Sequence, residues 1–147
     1  MGLSGTIDSS VYEGLKDVLQ RYPFVTRVTY EPDSITKKFL RAHIDPARHD
    51  PSIGPQSPTL DIEWRFTADN QYYRIHYADP NTGFNCGWHR DDDHSELGPV
   101  HFQYENPTTG AEGHQHAEFE NEIPTEILWT ALDRLFEEKL PDFTASL

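Results

Sequence analysis

The alternation of apolar and polar positions is sharpest in the middle of the chain. Leu60, Ile62, Trp64 and Phe66 alternate with Asp61, Glu63 and Arg65, the period-two pattern of a strand with one buried face. Tyr73, Ile75 and Tyr77 alternate with Tyr72, Arg74 and His76. Phe84, Cys86 and Trp88 alternate with Asn85, Gly87 and His89, and Val100, Phe102 and Tyr104 with His101, Gln103 and Glu105. Two further strands are read over 24–30, with Phe24, Thr26, Val28 and Tyr30 on one side, and over 37–44, with Leu40, Ala42 and Ile44 inward. Asp69-Asn70 and Asp79-Pro80-Asn81-Thr82-Gly83 supply short turns, so consecutive strands should be antiparallel neighbours in a meander.

The period changes at both ends. Ser10-Val11-Tyr12-Glu13 has the form of a capping box, and Val11, Leu15, Val18, Leu19 and Tyr22 follow helical spacing up to Pro23. A second helix is expected over 123–140, with Pro124 in its first turn, an apolar stripe of Ile127, Leu128, Ala131, Leu132, Leu135 and Phe136, and Pro141 as its stop. Residues 1–8 and 142–147 read as loose ends, and 45–58, with four prolines, as an exposed loop. A sheet with one apolar face needs cover, and only the two helices can provide it. The expected fold is therefore a single α+β domain over 1–147: a five- or six-stranded antiparallel meander with both helices on one face and a polar, open opposite face.

Composition refines this picture. The apolar fraction is 35%, yet 8 Phe, 7 Tyr and 3 Trp bring enough area per residue to fill one core. No apolar run approaches the ~20 residues of a membrane span, and the N-terminal stretch has no signal-peptide character, which points to the cytoplasm. Twenty-five Asp and Glu against 12 Lys and Arg give a formal charge of -13. Such self-repulsion is relieved by salt, and the composition resembles that of proteins from extreme halophiles. An acidic surface of that origin carries no information about partners, and a charge of -13 disfavours nucleic-acid binding except at a local cationic patch.

Candidate chemistry lies on the uncovered side. Alternation places Glu63, Arg65, Tyr72, Arg74, His76, Asn85, His89, His101, Gln103 and Glu105 there. Histidine and arginine together can move a ribose 2′-hydroxyl proton, protonate a leaving oxygen and steady a phosphate without a metal. The 8 histidines also raise metal binding, with Asp91-Asp92-Asp93-His94 and His114-Gln115-His116 as donors. No complete ligand motif such as H-E-x-x-H or C-x-x-C is present, and no cofactor fingerprint. Cys86 falls on the inward side of its strand and reads as a small core residue.

The segments Tyr73-Arg74-Ile75-His76-Tyr77, Gly87-Trp88-His89-Arg90-Asp91-Asp92-Asp93-His94 and Leu97-Gly98-Pro99-Val100-His101-Phe102-Gln103, followed by an amphipathic helix, resemble the TumE-type toxin family. The likeness covers roughly the second half of the chain. It departs where His89 stands for the family's usual Asp and Gln103 for the second histidine of its H-x-H element. It implies the toxin of a toxin–antitoxin pair acting on RNA, with a small antitoxin as partner, and joined to the histidines and arginines of the open face it gives a metal-independent ribonuclease. His94 and His101 carry over as catalytic positions; the sheet-face pattern adds His76 and Arg74 beside them as catalytic groups and Arg65, Tyr72, His89 and Gln103 as substrate contacts. Two other readings stay open: a non-enzymatic acidic interaction or regulatory module, and a histidine-rich metal-binding protein.

Overall fold

Helix α1 spans Ser9–Arg21. Its cap is Asp8, upstream of the expected Ser10–Glu13 box: Oδ1 of Asp8 accepts from the Ser10 and Val11 amides at 3.0 and 3.4 Å, and from the Ser10 hydroxyl at 2.7 Å. A carboxylate here satisfies free amides and complements the helix dipole. The Ser10 hydroxyl, then the Val11 amide, hold its pKa below the usual value. Tyr12, Leu15 and Leu19 form the buried face. The computed structural model describes residues 3–48, 53–91 and 95–146.

Seven strands follow, β1 (Val25–Glu31), β2 (Phe39–Ile44), β3 (Thr59–Phe66), β4 (Gln71–Ala78), β5 (Asn85–Arg90), β6 (Val100–Asn106) and β7 (Ala111–His116). They pair antiparallel in sequence order, a pure meander. The count exceeds the expected five or six because of β7, an exposed edge strand without apolar alternation. Nothing in its side chains requires burial, so hydropathy cannot reveal it. A second difference lies in β1, where a register shift between Val25 and Arg27 adds a residue and lets Val25, Val28 and Tyr30 all pack against the core, while Thr26 is exposed. A bulge resets which residues share a face.

One hydrophobic core joins α1, the inner sheet face and the C-terminal helices, so the helices cover the same face. Leu40, Ala42, Ile44, Leu60, Ile62 and Trp64 are fully buried there, with Cys86 beside them. Ile53, from the proline-rich connection, is also buried; that stretch is therefore not wholly an exposed loop. Helix α2 (Pro124–Arg134) continues through a π-helical turn, Leu135–Lys139, into α3 (Leu140–Ala145). Pro141 does not stop the helical run, contrary to expectation. The wider turn has already replaced the regular i→i−4 ladder, the Leu140 amide donating to the Leu135 carbonyl, so a proline in the next turn removes little. Leu140 and Phe143 are buried, and Phe143 stacks on Phe84 with ring centroids 4.0 Å apart. The N-terminal end is also engaged, since Thr6 and Phe66 exchange backbone hydrogen bonds of 2.9 and 2.8 Å. Among the described residues no helix is long and apolar enough to cross a membrane.

Candidate metal centre on the polar sheet face

The register of the meander converts scattered polar residues into two rows. Glu63 lies opposite Arg74, Arg74 opposite His89, His89 opposite His101, and His101 opposite His116. In the adjoining row Asp61 faces His76, His76 faces Gly87, Gly87 faces Gln103, and Gln103 faces His114. Arg65 and Tyr72 form the next cross-strand pair beyond Glu63 and Arg74. Strand alternation thus gathers Arg65, Tyr72, Arg74, His76, His89, His101 and Gln103 on one side of the sheet. His94 lies outside the described residues.

This face is not uniformly open, which corrects the expectation. Arg74 is exposed, but His89 retains 9% and His101 only 1% of its accessible surface. Four imidazoles follow one another across β4 to β7: ring centroids are 6.0 Å apart for His76–His89, 5.2 Å for His89–His101 and 5.7 Å for His101–His114. Gly87 makes room in the second row. A Cβ there would collide with the Ile75 carbonyl oxygen, so only glycine permits this close approach of β5 to β4.

Burial sets the protonation of the inner rings. His89 is pushed down to about 3, first by desolvation and then by Arg74 and the neighbouring histidines. His76 is pushed down to about 4 by burial and Arg74, with Asp61 opposing. Both are neutral at pH 7 and keep a free nitrogen lone pair. Nδ1 of His76 and Nε2 of His89 have no hydrogen-bond partner among the described residues. His116 behaves oppositely: Nδ1 donates to the Leu97 carbonyl at 2.7 Å and Nε2 to Glu118 at 2.9 Å. Glu118, then the Leu97 carbonyl, raise its pKa. The H-x-H pair of β7 is therefore divided, His114 lying tilted beside His101 and His116 held by the Leu97–Glu118 side.

Asp91 completes a constellation. Ligand atoms of His89, Asp91 and His101 all lie within 4.8 Å of one another, and Nδ1 of His89 is 3.8 Å from Oδ2 of Asp91. Donors bound to one ion at about 2.1 Å sit roughly 3–3.5 Å apart, so small side-chain rotations close the set. Two imidazoles and a carboxylate suit a borderline divalent metal such as zinc, iron(II) or manganese, and leave further positions open. The sequence offers Asp91 as a donor together with Asp92, Asp93 and His94, and does not by itself join it to His89 and His101. The available signal was the meander itself: His89 and Asp91 at i and i+2 share a side, and a short connection brings β6 back alongside.

Other expected contributors are engaged elsewhere or excluded. Nε of Arg65 is held by Glu63 at 2.9 Å. Cys86 is fully buried on the apolar side and its thiol pKa is raised by desolvation, as a core role requires. Comparison with family models, curated proteins and solved structures finds no match to this chain.

Proposed function

We propose that this protein is a metal-binding protein that holds one divalent transition-metal ion through His89, Asp91 and His101 on the polar side of its sheet. The observation that carries the reading is the mutual approach of three donor atoms within 4.8 Å at the end of paired strands. The neutrality of His89 supports it, because a ring with so low a proton affinity loses nothing to competing protons at pH 7. A ligand set with open positions is the type that acts as a Lewis acid rather than as a structural clip.

Burial favours this reading over metal-free RNA cleavage by the same histidines. A proton-transfer group must come within hydrogen-bond reach of the hydroxyl it serves, and His101, at 1% exposure, offers a polymer almost no surface. A buried ring can still ligate an ion. Arg74 on the rim is the group best placed to meet a substrate.

The test is metal analysis of purified, chelator-stripped protein dialysed against zinc, manganese or iron(II) at the salt concentration that keeps it folded. The expected result is one equivalent of bound ion in the native chain and none in His89→Gln/His101→Gln. Circular dichroism establishes that the variant is folded. Absence of binding in the native protein, or equal retention by the folded variant, refutes the proposal.

A further inference from the structure

We infer that the exposed guanidinium of Arg74 turns the proposed metal site into a receptor for a phosphate group, held between the ion and that side chain. The inference rests on the metal reading and adds the chemical class of the ligand.

Arg74 stands directly opposite His89. It is exposed and makes no ion pair among the described residues. Its cross-strand neighbour on the other side, Glu63, is already engaged by Arg65 at 2.9 Å. Two other arginines on the surface are neutralised. Arg41 is clamped by both oxygens of Asp61 at 2.8 and 2.9 Å, and Arg21 pairs with Asp17. In a chain with 25 acidic and 12 basic residues, a cation left without an ion pair is a local positive site against an otherwise repulsive field.

The geometry selects among anions. A guanidinium presents paired N–H donors that match two oxygens of one anion. A carboxylate has only two oxygens in one plane, so with both on the fork it can reach a metal on the adjacent strand only by sharing one of them. A phosphate carries its oxygens in a tetrahedron, and two can meet Arg74 while a third occupies an open metal position. Both partners act on one group, so binding should need both.

The experiment titrates the zinc-loaded full chain with inorganic phosphate by calorimetry, against sodium acetate at equal ionic strength. Loss of a charge-assisted pair weakens binding by about tenfold or more. Arg74→Gln should therefore bind phosphate at least about tenfold more weakly while its zinc content is unchanged, and the stripped native protein should lose phosphate binding as well. Acetate should not compete. Equal phosphate affinity in Arg74→Gln, or in the stripped protein, overturns the inference and leaves the metal site standing. A native chain that takes up no zinc overturns the metal reading, and this inference with it.

Discussion

The hydroxyl of Tyr12 is the point at which α1 is tied to the sheet, and removing it tests the packing that supports the polar face. The ring is fully buried. Its hydroxyl donates to the Lys38 carbonyl at 2.8 Å and accepts from the Trp64 amide at 3.1 Å. The recorded pairing of β2 with β3 ends at Leu40 and Ile62, so Trp64 lies beyond it and the phenol takes the place of a strand partner. Burial raises the Tyr12 pKa, which keeps the hydroxyl a donor. Tyr12→Phe deletes one oxygen and leaves the ring in place, so the change reads hydrogen bonding alone. A buried polar group stranded without a partner costs about 1–3 kcal/mol. The Trp64 amide should bear most of that; Lys38 is exposed and its carbonyl can turn to water. The sum is about 2 kcal/mol. Urea unfolding in molar potassium chloride measures it, with an unchanged m value showing that the unfolded state is unaffected. Tyr30→Phe serves as the control: the Tyr30 ring is flanked by Lys16 and Lys37 at 5.0 and 4.9 Å, and its loss of a hydroxyl should stay within about 0.5 kcal/mol. A Tyr12→Phe effect no larger than the control would refute the role assigned to this hydroxyl.

Two further outcomes follow from other contacts. His43 has its pKa lowered by burial and then by Arg27 and Arg41, with Glu31 and Asp61 opposing, and its Nε2 accepts from Nη2 of Arg27 at 3.1 Å. Because the folded value lies below the unfolded one, the unfolded chain binds this proton more readily; the stability contribution is complete above the ordinary histidine pKa and is lost as pH falls through the folded value. Arg27→Gln should raise the His43 pKa in an NMR titration of its ring protons, and superimposable curves would refute the coupling. Phe143, buried and stacked on Phe84, should cost about 3 kcal/mol when truncated to alanine; a thermal midpoint unchanged in Phe143→Ala would show that the C-terminal turn is not docked.

The fold was legible wherever burial leaves a period in the sequence. Leu60, Ile62 and Trp64, and Tyr73, Ile75 and Tyr77, alternate because every second side chain must leave water, and all six are buried. β7 shows the converse: Glu112, His114, Gln115 and His116 are exposed, and backbone pairing with β6 alone defines the strand. Local devices were misread for a similar reason. Ser10 and Glu13 fit a capping pattern, but Asp8 takes the amides, because a competing side chain two residues upstream also reaches them. Pro141 signals a helix end in a regular helix, and the preceding π turn removes the premise.

The polar face shows where the sequence stops informing. Alternation assigns Arg74, His76, His89 and His101 to one side, but the same alternation applies to a solvated face of no special chemistry. Register adds what alternation lacks. Once His89 is set opposite His101, Asp91 falls on their side, and neighbouring rings bury both imidazoles. A solvated histidine costs a fold nothing, whereas a buried one with an unpartnered nitrogen costs a desolvation penalty. For Nε2 of His89 that penalty is incurred on the side of the sheet that the helices leave uncovered, where packing does not demand a buried ring. Nδ1, the other nitrogen of the same ring, lies 3.8 Å from Oδ2 of Asp91; on the proposed metal reading it takes the ion, and the charge of Arg74 opposite His89 selects what that ion can share.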